Sequence, residues 1–131
     1  MKWVIVVGAL LAAAGVAKGA FAAHGLEAYL EKLGYTEDVE KRLAWFDTAV
    51  RYQIYHALAM LVVAALAGRV ASGWAQGAAV AFFLGIALFS GSLFVMTFAG
   101  DAWRKLGMVT PMGGLAFIVG WLLVAIAAAR N

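Results

Sequence analysis

The sequence predicts an all-α integral membrane protein: a four-helix bundle with an amphipathic interfacial helix between helices 1 and 2. Three observations carry this prediction. Hydrophobic residues fill 66% of the 131 positions and charged residues only 13%, with a mean hydropathy of +0.92. A soluble domain of this length cannot hide that much apolar surface. Four apolar stretches, 3–23, 49–68, 74–99 and 108–129, each reach about 20 residues, the length that crosses a ~30 Å hydrocarbon core. The runs are solid rather than alternating, which favours helices over a barrel, the two structures that satisfy their own backbone in lipid. No room remains for a second domain of ordinary size, so residues 1–131 are read as one transmembrane domain.

The first span, 3–23, follows Lys2. Its end, Ala20-Phe21-Ala22, also resembles the small-residue cleavage site of a signal peptide. Lys18 sits awkwardly before such a site, and a retained span is the preferred reading. The following link carries six of the seven acidic residues and has its own order. Leu26, Leu30 and Leu33 share a helical face, and Gly34 is a natural stop. Thr36 reads as an N-cap, with Glu37, Asp38 and Glu40 in the first turn, where the helix dipole favours anions. Val39, Leu43, Phe46 and Val50 then form an apolar stripe on an interfacial helix that runs into the second span. Residues 69–73 (RVASG) form a tight turn that makes spans two and three antiparallel neighbours. The third span is long enough to tilt. Residues 100–107 (GDAWRKLG) link it to the fourth, where Thr110 is an N-cap candidate and Pro111 suits the first turn.

Four crossings place both termini and loop 69–73 on one side of the membrane. The long link and loop 100–107 then share the other. Trp3 and Trp74 mark the first border, and Trp45 and Trp103 the second, as interfacial belts do. Trp121 falls near mid-membrane, where it reads as a core or lipid-facing aromatic. Lys32, Lys41, Arg42, Arg51, Arg104 and Lys105 lie on the link side, against Lys2, Arg69 and Arg130 on the other. The positive-inside rule therefore leans toward both termini outside.

Small residues recur on the spans: Gly8, Ala12, Gly15 and Gly19, then Gly77, Ala81, Gly85 and Ser92, then Gly113, Ala116, Gly120 and Ala127. Such stripes let helix backbones approach closely, within one bundle or between protomers. Polar residues are lopsided. Lys18, His24, Gln53, His56, Ser90, Ser92, Thr97 and Thr110 all lie in the link-side half, and polar groups at membrane depth are functional candidates. Lys18 lies about 7–8 Å from the end of its span, within snorkelling reach of water, and reads as an anchor. His56 lies about 10 Å deep and cannot snorkel. It needs a partner, with Tyr52 or a serine of the third span the simplest, or else a ligand.

Other chemistries find little support. No cysteine is present, which removes disulfides and thiolate metal sites. No basic block points to nucleic acid. His24 and His56 differ in depth, which disfavours shared haem ligation. No metal motif or nucleophile–base spacing occurs. Gly113-Gly114 lacks the lysine and hydroxyl of a phosphate loop. No cofactor, metal or catalytic residue is expected.

Four segments carry a family resemblance: GAFAAHGL (19–26), FDTAVRYQIYHALAM (46–60), LFSGSLFVM (88–96) and TPMGGLAFIVGW (110–121). In order and spacing they resemble the domain-of-unknown-function 423 (DUF423) family of small membrane proteins, the YgdD and transmembrane protein 256 relatives. The resemblance spans nearly the whole chain. It implies a four-helix membrane protein, in the inner membrane for a bacterial chain, with GAFAAHGL retained. It implies no reaction or substrate. The family pattern maps onto Gly19, His24, Gly25, Gln53, His56, Ser90, Gly91, Ser92, Pro111 and Gly113.

Three functions compete on these grounds. The first is a non-enzymatic structural, accessory or lipid-interacting component, packing with membrane lipids, with itself as a homo-oligomer or within a larger complex. The second is a small carrier or channel built on Lys18, Gln53, His56 and Ser92, which the apolar far half of the spans does not extend. The third is a quinone- or lipid-headgroup-binding subunit, with Tyr52 and Tyr55 beside His56. The ligand-binding candidates common to these readings are Lys18, His24, Gln53, His56, Ser90 and Ser92. Gly8, Gly15, Gly19, Gly85, Gly113 and Gly120 are the helix-packing candidates.

Overall fold

A computed structural model describes residues 1–130, and among them the regular structure is helical. The elements are α1 (Lys2–His24), α2 (Leu26–Lys32), α3 (Val39–Ala65), α4 (Ser72–Gly85), a π-helical segment (Ile86–Ser90), α5 (Gly91–Phe98), a 3₁₀ segment (Asp101–Met108) and α6 (Thr110–Ala129). Three helical stretches are long and apolar enough to cross a membrane: Lys2–His24, Ser72–Phe98 and Asp101–Ala129. The helix α3 is longer than α1, at 27 residues against 23. Arg42, Asp47, Arg51, Gln53 and His56 dilute its apolar character.

The amphipathic stretch 39–50 runs without a break into the apolar run that follows it. It is the first part of an unbroken α3. Thr36 does not cap it. Asp38 stands at the N-cap position without capping a backbone N–H, because its carboxylate accepts from Arg42 one turn on. The short α2 buries Leu26 and Leu30 against Phe46 and Val50 of α3, whereas Leu33 is exposed. Gly34 follows with φ +92°, a left-handed conformation that glycine adopts without a steric penalty. Thr110 also fails as a cap: it is already helical, with Val109 before it, and its hydroxyl meets Ser92 instead. The link after α5 is a single exposed 3₁₀ stretch rather than a loop.

Contacts run as a row. The helix α1 packs on α3, α3 on the α4–α5 unit, and α4 on α6, with no contact of comparable extent joining α1 or α3 to α6. The main apolar core lies along this row, with Val4, Ala57, Met60, Ala78, Ala79 and Phe82 almost fully buried. Small residues set the separations. A Cβ on Gly15 would sit 2.5 Å from Ile54 Cγ1, and one on Gly120 would sit 2.5 Å from Phe82 Cε1. Gly113 lies so near the backbone nitrogen of Phe89 that any side chain would overlap it. That approach seats α6 against the π-helical segment. Gly8 meets the Ala57 carbonyl and Leu61, Gly85 meets the Phe117 ring, and Gly19 meets Val50 more loosely at 3.7 Å.

Candidate functional site

Most polar residues of the link-side half occupy four separate seats. Gln53 and His56 are three residues apart, yet they serve different neighbours. Gln53 turns to α1, where its Nε2 donates to the Leu11 carbonyl at 2.7 Å and its Oε1 accepts from Lys18 Nζ at 2.9 Å. The Lys18 ammonium also lies 4.0 Å from the centre of the Phe94 ring. Its stem therefore runs sideways into the α1–α3 seam and not outward as a snorkelling anchor. The reason is local: Gln53 offers an acceptor and Phe94 a π face, and both attract a cation in apolar surroundings.

His56 faces the other way, toward α6. Its Nδ1 is 2.8 Å from the Tyr52 carbonyl, and its Nε2 accepts from Trp121 Nε1 at 3.3 Å. A carbonyl only accepts and an indole only donates, so these partners require the neutral ring with its proton on Nδ1. Phe117 covers one face of the imidazole, with centroids 3.5 Å apart and planes 8° apart. Tyr52 stacks on Phe89 at 4.5 Å, and Phe82 meets Trp121 edge-on at 5.0 Å.

The serines form the third seat. Ser90 donates to the Ala49 carbonyl at 2.8 Å. Ser92 Oγ donates to the Phe89 carbonyl and lies 2.6 Å from Thr110 Oγ1, which fastens α5 to the start of α6. Thr97 bonds back within its own helix to Leu93. His24 joins none of these groups. It is exposed at the end of α1, beside Glu27 and Glu31 in a shallow cleft of about 370 Å³.

The fourth seat was not legible in the sequence. Arg42, only 1% exposed, donates from one guanidinium nitrogen to the carbonyls of Met96, Thr97 and Ala99 at 2.9–3.0 Å. Its Nε bonds Asp38 at 2.9 Å, and its carbon lies 3.5 Å from the Tyr35 ring centre. Arg104 also pairs with Asp38. The hydrogen bond from Arg42, reinforced by both positive charges, holds the Asp38 carboxyl below the ordinary carboxylate range despite partial desolvation. The only sequence signal was the four-residue spacing of Asp38 and Arg42, which usually marks a solvated pair.

Among the described residues, no buried side-chain nitrogen or oxygen lacks a partner. No group of three or more histidine, aspartate or glutamate residues is placed to hold a metal. The notable cavity is an open groove of about 830 Å³ between α3 and α6, lined by Tyr52, Tyr55, His56, Phe89, Leu115 and Trp121 among others.

Apolar membrane-length helices and buried polar groups satisfied from within define a multi-pass integral membrane protein. The chain belongs to the family described as protein of unknown function (DUF423), whose profile matches residues 18–114. It is 40% identical to the UPF0382 membrane protein YwdK of Bacillus subtilis, over 99% of this chain and 98% of that relative. It is 41% identical to a UPF0382 membrane protein of Haemophilus influenzae, over 84% of this chain and 80% of the relative. The UPF0382 inner membrane protein YgdD of Escherichia coli is 38% identical, over 88% of this chain and 80% of its own length. No solved structure matches the chain.

Proposed function

We propose that the chain is a non-enzymatic accessory component of the membrane that crosses it four times and associates with lipid or with further membrane helices. The observation that carries this reading is the internal satisfaction of the buried polar groups. A substrate pocket presents a few convergent polar groups to its ligand, and a pore lines a continuous path with them. Here Lys18, Gln53, His56, Ser90 and Ser92 are engaged in helix-to-helix or local bonds. They act as interhelical fasteners where lipid supplies no hydrophobic drive for helix association.

In this reading α3 is the fourth crossing. Its polar groups are tolerable there because they point at protein. Its Tyr55, Leu58 and Val62, all exposed, face hydrocarbon. The packed glycines serve contacts inside the chain, which leaves the exposed apolar faces of α1 and α6 for lipid or a partner. The count of basic residues on the link side supports both termini lying outside. Native-size measurement in mild detergent tests the reading. We expect a particle that retains lipid or a second membrane chain. A bare monomer with neither would overturn it.

A further inference from the structure

The groove between α3 and α6 has a definite length and a polarity gradient. Its α6 wall is Pro111, Gly114, Leu115, Ile118 and Trp121, spaced as one helical face. From Pro111 to Trp121 that face runs about 15 Å at 1.5 Å per residue, half of a ~30 Å hydrocarbon core. It starts where α6 begins, on the side of the α2–α3 link, and ends at mid-span.

The α3 wall is Tyr52, Tyr55 and His56. The hydrogen bonds here run from the Tyr52 carbonyl through His56 to Trp121 and leave both phenolic hydroxyls out. Tyr52 and Tyr55 are 39% and 56% exposed. Among the described residues neither hydroxyl has a protein hydrogen-bond partner, and the α6 wall opposite them is apolar and aromatic. Arg51 lies one helical turn before Tyr55 on the same face, exposed and paired to Asp47. Lys105, also exposed, lies in the segment that leads into α6.

We propose that this groove holds one acyl chain of a phospholipid from the link-side leaflet, with its ester or phosphate oxygens accepting from the Tyr52 and Tyr55 hydroxyls. The assignment deepens the accessory reading above and rests on α3 crossing the membrane. The leaflet-length wall fits a chain. The hydroxyls fit the ester or phosphate oxygens of its headgroup end. A planar quinone fits less well: both His56 nitrogens are engaged and Phe117 covers one ring face.

The test is native mass spectrometry of full-length protein taken from vesicles of phosphatidylethanolamine and phosphatidylglycerol into mild detergent. We expect one retained phospholipid per chain. Ile118→Trp should block the groove and abolish retention. The double variant Tyr52→Phe/Tyr55→Phe keeps the shape and should weaken the affinity for phospholipid about tenfold, the change that corresponds to about 1.4 kcal/mol, read as reduced occupancy. Leu10→Trp, on the exposed face of α1, should match wild type. Elution and melting like wild type establish that each variant is folded. Equal retention by wild type and both groove variants would overturn the site and leave the accessory reading standing. A quinone in place of phospholipid in the extract would overturn the assigned occupant. Loss of all lipid and partners from wild type would remove both proposals.

Discussion

Two cations lie inside this molecule, and they are seated differently. Arg42 is enclosed: three carbonyls, a carboxylate and an aromatic ring surround its guanidinium. Lys18 has one amide oxygen and one ring face. The guanidinium is planar and presents five donors in a fixed fork, which suits several acceptors at once. Here it collects carbonyls from the end of α5, where helix geometry leaves them without intrahelical partners and the dipole favours a positive charge. The ammonium is compact and rotatable, and it spans the α1–α3 seam with a single bond. One cation organises a helix terminus together with the loop beyond it. The other fastens two adjacent helices that already touch through glycine.

The largest effect should come from emptying the Arg42 seat. Arg42→Met leaves three carbonyls and the Asp38 carboxylate without their main donor. Breaking a buried charged pair from one side typically costs about 3–5 kcal/mol. We expect a large fall in the melting temperature of detergent-solubilised protein. Arg42→Lys should recover little of it, because a single ammonium nitrogen cannot stand both where Nη1 meets the carbonyls and where Nε meets Asp38. Full rescue by lysine would show that charge alone matters there, and the contrast with Lys18 would collapse.

Little of that seat can be read from sequence. The spans of α1, α4–α5 and α6 follow from apolar run length, a one-dimensional property. The stop at Gly34 follows from local backbone chemistry. Arg42 is different, because its partners at 96–99 come into reach only when α3 packs on α5. Lys18 misleads for the same reason: its distance from the span end permits snorkelling, and only the placement of Gln53 and Phe94 turns it inward. The π-helical segment is likewise tertiary, since it lies where Gly113 brings α6 onto the Phe89 backbone. His56 is an intermediate case. Its need for a partner is evident from depth, and Tyr52 is a local neighbour, but Trp121 is 65 residues away in sequence. Thr36 and Thr110 have the right chemistry for caps. Thr36 loses that position because α3 begins after Asp38, and Thr110 because it is already helical and its hydroxyl meets Ser92.

A smaller effect is expected at Lys18. Lys18→Met removes one donor and leaves the Gln53 oxygen unpaired, a loss on the order of 1 kcal/mol. The Leu11 carbonyl keeps its bond from Gln53. Adding Gln53→Leu should return only part of that loss: it removes the unpaired oxygen but also the bond to the Leu11 carbonyl. A double-mutant cycle on melting temperature measures the coupling. A Lys18→Met loss as large as that of Arg42→Met would show the two seats to be equivalent.

The smallest effect is a pH dependence confined to the Arg42 seat. The Asp38 carboxyl is held below its ordinary range, chiefly by the hydrogen bond from Arg42. The folded chain therefore binds that proton less readily than the unfolded chain. Its contribution is fully present above the unfolded carboxylate value of about 3.9 and is lost as pH falls through the lower folded value. Asp38 keeps 24% side-chain exposure, so solvent screening limits the size of the effect. We expect the melting temperature of wild type to drop below about pH 4, and Asp38→Asn to flatten part of that drop while lowering stability at neutral pH. Lys18→Met should leave the slope unchanged, because no acid pairs with Lys18 among the described residues. An identical acid profile for wild type and Asp38→Asn would mean that Arg42 is held by the carbonyls alone, with the carboxylate a bystander.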